Sequence, residues 1–385
     1  MFLTFPIMVI RVNTVENEIE WRWNSMISVG VGSFFLSMLW RYLIKKKEMG
    51  SKISDSRKVV RVPIVQKIKS DRRIYIPFMV ILTIFTLTFP FFSSLYQTTI
   101  MTTALIYIML GLGLNIVVGM AGLLDLGYIA FYCVGAYSYA LLNYHFGISF
   151  WLALPIGGLL GALFGVVLGF PVLRLRGDYL AIVTLAFGEI IRLIMENWNE
   201  LSFGPSGIAN IPKPSFFMDL SLRGGITFMY FIVLGMALFT IFMVNRLQNS
   251  RIGRAWIALR EDEVACQAMG IDKTITKLTA FSLGATWAGL GGVLFAAKTA
   301  FINPMSFTIW ESIMVLCIVV LGGMGSITGV IVAALFLNLV PEYLRAFSEY
   351  RLLLYGIILV LMMVFRPGGI ISDVRKTYQF KKSEL

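Results

Sequence analysis

Three carboxylic acids lie within long apolar stretches of this sequence, where a charged side chain needs a reason to be present. They are Asp125, Glu189 and Glu311. An acid at membrane depth is costly, so it is expected to bind a proton or a polar solute. Each also has a structural interpretation. Asp125 lies beside a glycine cluster whose backbone donors it can bind, and Glu311 lies near the end of its stretch. Glu189 can pair with Arg192, three residues later on the same helix face.

Other reactive residues are too few and too scattered to form an enzyme site. The chain has one histidine, His145, and three cysteines, Cys133, Cys266 and Cys317. Their spacing indicates neither a metal site nor a disulfide framework. No G-x-x-x-x-G-K-[ST] loop occurs, so the chain is not expected to hydrolyse ATP itself. A channel is disfavoured as well, because no ring of like charges or filter motif stands out.

The elements that must position these acids are membrane spans. Of 385 residues, 58% are hydrophobic and 14% are charged, which is far from the composition of soluble domains. Because roughly twenty apolar residues cross a bilayer, the sequence predicts about eleven spans. They lie near 24–44, 76–93, 100–120, 122–142, 151–173, 179–195, 225–244, 278–297, 308–321, 328–344 and 352–365.

Lysine and arginine predict the orientation, because they stay on the cytoplasmic side of the spans that they flank. They concentrate in 45–74, in 246–277 and in the tail, which are predicted to lie inside, whereas the acidic segment 16–20 lies outside. The net charge of +12 therefore reports topology and not a nucleic acid partner. The predicted fold is an all-α integral membrane protein, a polytopic bundle of about 10–11 transmembrane helices. Its N-terminus is predicted outside and its C-terminus in the cytoplasm.

A weak internal repeat marks two glycine-rich stretches. "NIVVGMAGLLDLG" at 115–127 resembles "CIVVLGGMGSITG" at 317–329 in its apolar lead and its glycine cluster. Transporters are often built from duplicated halves whose glycine-interrupted helices mark the substrate path, although close packing of ordinary helices explains either stretch alone. We therefore predict a substrate path here, with Glu189 as a further polar contact. Its candidate residues are Asn115, Gly119, Gly122, Asp125, Glu189, Gly322, Gly323, Gly325 and Ser326.

One inner segment, 245–278, has strong helical signals and the features of a docking surface. Four alanines are spaced to share one helix face, and a glycine follows as a helix stop. They are Ala255, Ala258, Ala265, Ala268 and Gly270. The charges at 260–263 lie beside them and are mostly acidic. A helix resting on lipid would show larger apolar residues and mainly basic charges, so we expect a cytoplasmic protein partner.

Several ordered motifs give the chain a resemblance to a known family. They are "GLGLNIVVGMAGLLDLGYIAFYCVGAYSYALL", "GFPVLRLRGDYLAIVTLAFGEIIRLI", "GPSGIANIPKPSFF", "GRAWIALREDEVACQAMGID", "LGGMGSITG" and "FRPGGI". From Thr99 to Ile371 the chain is similar to permease subunits of high-affinity branched-chain amino acid importers of the ABC type, the LivM-like member of a two-permease pair. The resemblance implies that 245–278 is the coupling loop seated on an ATPase subunit. The coupling residues that it implies are Gly253, Arg254, Ala258, Arg260, Glu261, Asp262, Glu263, Ala265 and Gly270.

The resemblance also implies a mechanism and a set of partners. Transport would proceed by alternating access, driven by two separate ATPase subunits that bind ATP and Mg, so no cofactor or metal is expected in this chain. A second permease of similar fold and an extracytoplasmic binding protein that delivers Leu, Ile or Val complete the assembly, in a bacterial cytoplasmic (inner) membrane. The chain would divide into an extra span with a basic cytoplasmic loop at 1–74, the permease domain at 75–371 and a cytoplasmic tail at 372–385.

Two alternatives stay open. A proton-coupled secondary amino acid transporter would use the intramembrane acids directly. A permease for urea or short-chain amides in a related ABC importer would share the architecture and differ only in its substrate.

Overall fold

The chain divides into two compact units, Met1–Pro77 and Phe78–Leu385. A computed structural model describes residues 85–343 except 174, 176 and 215–221, together with 10–13, 18–21, 38 and short pieces between 350 and 371. In the first unit, strands β1 (Ile10–Asn13) and β2 (Glu18–Trp21) pair antiparallel. This hairpin is a departure from the predicted all-α class. The predicted span 24–44, apart from Met38, and the basic loop after it lie outside the described residues.

The second unit is helical. Residues 85–92 are helical, and the helices that follow are α1 (Leu95–Leu114), continued by a π-helical turn at Asn115–Met120, α2 (Ile129–Phe146), α3 (Phe150–Val172), α4 (Asp178–Asn197), α5 (Asn199–Ser202), α6 (Leu222–Gln248), α7 (Arg251–Glu261), α8 (Glu263–Ala268), α9 (Lys273–Thr299), α10 (Ile309–Gly322) and α11 (Ile327–Tyr343). Two short 3₁₀ turns lie at Gly204–Ser206 and Pro304–Phe307. Strands β3 (Ile208–Ala209) and β4 (Phe301–Ile302) form a small antiparallel pair.

Within the part of the chain that the structure describes, five helices are long and apolar enough to cross a membrane. They are Leu95–Met120, Phe150–Val172, Arg223–Gln248, Lys273–Thr299 and Pro304–Gly322. The protein is thus a multi-pass helical membrane protein, as predicted. The total of 10–11 spans and the orientation of the termini stay predictions.

One predicted span begins in the wrong place. The apolar run at 122–142 predicts a helix from its first residues, but the chain is irregular from Ala121 and α2 begins only at Ile129. Gly122 has φ of +72°, a conformation that interrupts a right-handed helix and that glycine adopts without steric cost. Hydrophobicity reports that a segment is buried, and it does not distinguish a helix from an irregular stretch packed inside the protein.

Helix α9 forms the centre of the unit, and small residues let its neighbours approach it closely. Gly157, Gly161, Gly165 and Gly169 of α3 repeat at every fourth residue along one helix face. A Cβ atom added to Gly161 would lie 2.6 Å from the carbonyl oxygen of Ala285, which belongs to α9. Inside a bilayer, close packing of backbones replaces the hydrophobic effect as the source of helix association. The glycines of α3 therefore fix its position against α9.

Candidate substrate path and coupling segment

Two interrupted helices meet in the part of the molecule where the sequence predicts a substrate path. Helix α1 changes to a π-helical turn at Asn115, and α10 ends at Gly322, after which Gly323 and Gly325 have φ of +108° and +86°. The side-chain oxygen of Asn115 accepts a hydrogen bond of 2.8 Å from the backbone N–H of Gly325. Since Asn115 is 0% exposed, this bond joins the two breaks inside the protein.

Gly119 and Gly322 at this junction are required by close backbone contacts. A Cβ atom on Gly119 would collide with the Asn115 side chain and would lie 2.5 Å from the amide nitrogen of Gly325. A Cβ atom on Gly322 would lie 2.6 Å from the amide nitrogen of Val330. Six of the predicted path residues thus gather at this junction. They are Asn115, Gly119, Gly322, Gly323, Gly325 and Ser326, whose hydroxyl oxygen accepts from the N–H of Gly329 at 3.1 Å.

Asp125 lies on the irregular stretch that follows the junction, and its side chain is completely buried. One carboxylate oxygen accepts from the N–H of Gly127 at 2.9 Å, which confirms the backbone interpretation. The other oxygen, like the side-chain nitrogen of Asn115, has no hydrogen-bond partner among the described residues. Buried polar atoms without partners are costly and uncommon. These two atoms therefore make the stretch a candidate for binding a polar group, and its role in transport stays a prediction.

Glu189 forms an ion pair within its own helix, and among the described residues it makes no hydrogen bond or ion pair with this junction. Its carboxylate binds the Nε of Arg192 at 2.8 Å, and the same guanidinium binds Glu196 at 2.6 Å. The pairing interpretation of Glu189 is confirmed. Its place on the substrate path stays a prediction.

The variant Glu189→Gln is expected to have a small effect. Arg192 keeps Glu196 as a partner, and ion pairs at this spacing on a partly exposed helix contribute about 0.2–0.5 kcal/mol. Leucine uptake by the assembled transporter should therefore stay within about twofold of the wild type. A selective rise in KM for leucine at unchanged protein level would instead place Glu189 on the path.

The inner segment 245–278 is built from two short helices and not from one. Asp262 is extended between α7 and α8, and its carboxylate accepts from the N–H groups of Val264 and Ala265 at 2.8 and 3.0 Å. This is the N-cap of α8. The predicted common face of the four alanines is therefore wrong, since Ala255 and Ala258 are half-buried on α7 whereas Ala265 and Ala268 are exposed on α8. Gly270 follows α8 with φ of +82°, as a helix stop requires.

The beginning of α7 is fixed by local hydrogen bonds and by a buried tryptophan. The hydroxyl oxygen of Ser250 accepts from the N–H of Gly253 at 3.2 Å, and Arg254 donates to the carbonyl of Asn249 at 3.1 Å. Trp256 is buried, and its indole N–H donates to the carbonyl of Thr276 on α9 at 3.1 Å. Helix α7 is thereby attached to the central helix of the unit, and Arg260 and Glu261 at its end are exposed.

A buried ion pair attaches α8 to α9. The ammonium of Lys277 binds the carboxylate of Glu263 at 2.8 Å, and Lys277 is only 2% exposed. Glu263 is among the residues predicted from the sequence, and Lys277 is not. A lysine that immediately precedes an apolar run is interpreted as a topological residue, so its position did not indicate that it binds an acid fourteen positions earlier.

Arg260 connects the inner segment 245–278, which is the predicted coupling segment, to the helix breaks. Its guanidinium donates to the carbonyl of Gly119 at 2.5 Å, and Gln248, at the end of α6, donates to the carbonyl of Gly325 at 3.1 Å. A cavity of about 240 Å³ lies beside Arg260, between the stretch 121–123, the start of α4 and the Glu263–Lys277 pair. The predicted coupling residues and the predicted path residues are thus in direct contact.

Comparison with known proteins assigns the family. The family described as branched-chain amino acid transport system, permease component, matches residues 96–364. The chain belongs to this family. Two relatives are the high-affinity branched-chain amino acid transport system permease protein LivM of Salmonella typhimurium, 42% identical, and that of Escherichia coli K12, 43% identical. Each alignment covers 95% of this chain, with 89% and 88% of the relative. No solved structure matches.

A more distant relative is a permease protein with a different name. The high-affinity branched-chain amino acid transport system permease protein LivH of Salmonella typhimurium is 25% identical over 69% of this chain and 91% of its own length. The residues of this chain that match the family, 96–364, include the two helix breaks, the coupling segment and the Glu263–Lys277 pair. The LivM relatives also align with most of the first unit, because they cover 95% of the chain.

Proposed function

We propose that this chain is the transmembrane permease subunit of an ATP-driven ABC importer that moves Leu, Ile and Val by alternating access. The LivM relatives support the substrate class through their names, and the LivH relative supports a second permease of similar fold. Two ATPase subunits would bind ATP and Mg, and an extracytoplasmic binding protein would deliver the amino acid. The assembly would lie in a bacterial cytoplasmic membrane.

The observation that carries this proposal is the contact between the coupling segment and both helix breaks. Arg260 binds the carbonyl of Gly119 in the first break, and Gln248 binds the carbonyl of Gly325 in the second. A partner that pulls or pushes α7 and α8 would therefore act directly on the backbone of the path. Coupling between two sites requires contacts whose free energy differs between the two conformational states. These two hydrogen bonds are contacts that a movement of α7 and α8 would change.

The exposed side of the coupling segment supports a protein partner. Val264, Met269 and Ile275 are large apolar side chains that are 67%, 82% and 61% exposed. Val264 follows the exposed acids Glu261 and Asp262 by three and two residues. Apolar residues next to fixed charges are typical of a docking surface, since burial supplies affinity and charge supplies register. We infer that this surface receives an ATPase subunit.

The proposal is tested by reconstituting the chain with its membrane partners and measuring leucine uptake together with ATP hydrolysis. We expect binding protein plus leucine to stimulate a vanadate-sensitive ATPase activity and uptake to persist when the proton gradient is collapsed. Arg260→Ala should reduce leucine uptake per ATP hydrolysed by about tenfold, because a charge-assisted hydrogen bond of about 1.5–3 kcal/mol is lost. Arg251→Ala is the matched control, because Arg251 is an exposed arginine of the same helix that is not among the predicted coupling residues.

Two results would contradict the proposal. Loss of uptake on collapse of the proton gradient at high ATP would favour the secondary transporter. Uptake of urea or acetamide, but not of leucine, by the same assembly would favour the amide permease.

A further inference from the structure

Helix α1 carries a polar stripe on its least buried side. Between residues 98 and 114, every residue is buried except Thr99, Ile100, Thr103 and Tyr107. Thr99, Thr103 and Tyr107 follow one another at intervals of four, so they share one helix face. This face lies toward the beginning of α1, at the opposite end from the break at Asn115. The one side that α1 leaves partly open is therefore mainly polar, whereas most of its buried residues are apolar.

Two charged side chains from other helices rest on this stripe. Lys298, in the last turn of α9, donates to the hydroxyl of Thr103. The hydroxyl of Tyr107 donates to the carboxylate of Glu311, in the first turn of α10. Because Thr103 and Tyr107 are one helical turn apart, the ammonium and the carboxylate are bound at neighbouring positions along α1.

These two charges differ from Arg192 and Lys277 because no opposite charge among the described residues neutralises them. Arg192 binds two glutamates, and Lys277 binds Glu263. Among the described residues, Lys298 and Glu311 form no ion pair and bind only hydroxyl groups. Both are half-buried and lie in helices that are long and apolar enough to cross a membrane, where a charge facing lipid is costly and is expected to face protein or a water-filled cavity. The surface is thus complementary to a group that carries one positive and one negative charge.

An aromatic wall stands next to the charges. The ring of Tyr132 on α2 packs against Phe295 and Phe307, with ring centroids 5.4 and 5.6 Å apart. Phe295 precedes Lys298 by three residues, and Phe307 precedes Glu311 by four. Polar groups that fix orientation beside an apolar wall are the usual composition of a small-molecule site.

We propose that Thr103, Tyr107, Lys298 and Glu311 form a binding site for the zwitterionic main-chain group of an amino acid. Lys298 would bind the α-carboxylate, Glu311 would bind the α-ammonium, and the aromatic wall would contact the side chain. Under the predicted orientation, the site lies in the extracytoplasmic half of the membrane. The inference rests on the proposed function and adds to it where the transported amino acid is bound.

The charge pattern selects among solutes. A simple anion is repelled by Glu311 and a simple cation by Lys298, while a neutral amide compensates neither charge. A zwitterion compensates both, and a site built for a given polar group rejects ligands that lack it because its own buried groups are then left unpaired. The alternative explanation is that this surface makes a polar contact with a second permease subunit.

The test uses the complete transporter in proteoliposomes. Glu311→Gln and Lys298→Met are each expected to lower leucine uptake by about tenfold or more, since each removes a charge-assisted contact with the solute. Glu196→Gln, which removes a carboxylate outside this site, should stay within about twofold. Unchanged uptake in both site variants would overturn the inference. So would loss of uptake accompanied by loss of the second permease from the purified complex, because the surface would then be a subunit contact.

A labelling experiment keeps the inference testable if a charge variant fails to fold. Thr103→Cys is made in a chain whose three native cysteines are replaced by alanine, and the rate of modification by a water-soluble thiol reagent is measured. Leucine with binding protein should slow that rate by about threefold or more, as expected for a ligand that covers the site. Absence of protection, in an assembly that still takes up leucine, would overturn the site while leaving the proposed function intact.

Discussion

Gly119→Ala is expected to remove most ATP-driven leucine uptake. The added methyl group collides with the buried side chain of Asn115 and lies 2.5 Å from the amide nitrogen of Gly325. Backbone cannot yield as a flexible side chain can, so the two helix breaks must separate or the coupling contact at Arg260 must shift. Overpacking of this kind costs about 1–3 kcal/mol. We expect uptake to fall by about tenfold or more at equal protein level, measured in reconstituted vesicles together with the melting temperature.

Gly235→Ala is the matched control for this prediction. Gly235 lies within α6, and a Cβ atom added there meets nothing within 4 Å. Alanine in a helix interior is favoured over glycine by about 0.5–1 kcal/mol, so stability should be unchanged or slightly increased and uptake should be preserved. If the two variants lose uptake equally, close contact at the helix breaks is not the cause.

Lys277→Met is expected to destabilise the permease strongly. The variant removes the ammonium group that binds the Glu263 carboxylate at 2.8 Å, at a position where Lys277 is 2% exposed. Breaking a buried pair by removing one partner costs up to about 3–5 kcal/mol. We expect a lower yield and a lower melting temperature of the purified complex. The melting temperature is measured from size-exclusion profiles at increasing temperature.

The double variant Lys277→Met/Glu263→Gln separates charge from shape. Replacing both charged groups removes the carboxylate together with its ammonium partner, so the double variant should recover a large part of the stability that Lys277→Met loses. If the two substitutions are simply additive, then packing around Lys277 and not the ion pair would account for the loss.

The helices were predictable wherever an apolar run coincides with one helix. The run at 151–173 corresponds to α3 (Phe150–Val172), and the run at 308–321 corresponds to α10 (Ile309–Gly322). The prediction failed at 122–128, where an apolar run is buried without being helical. It also failed at Asp262, because a residue inside an apparently continuous helical pattern can cap a second helix.

Most of the residues that meet at the two helix breaks were predictable, but their contacts were not. Glycine clusters made 115–127 and 317–329 stand out, yet the bond between Asn115 and Gly325 joins residues 210 positions apart. Glu311 was conspicuous as an acid in an apolar run, whereas its partner Tyr107 lies 204 positions earlier. Local patterns identify residues that need a partner, and only the packing of the whole unit determines which partner each one obtains.

The glycines that α3 presents to α9 have a consequence for how such a permease can move. A Cβ atom on Gly165 would lie 2.8 Å from the carbonyl oxygen of Phe281, so around Gly161 and Gly165 the two backbones approach without an intervening layer of side chains. In a shear motion, packed helices slide past each other, and the side chains between them must repack. We expect α3 and α9 to move as one rigid body. Under the proposed alternating-access mechanism, we expect the motion between outward-open and inward-open states to occur at hinges. The irregular stretch 121–128 and the turn 323–326 are the candidates, because their backbone is not helical.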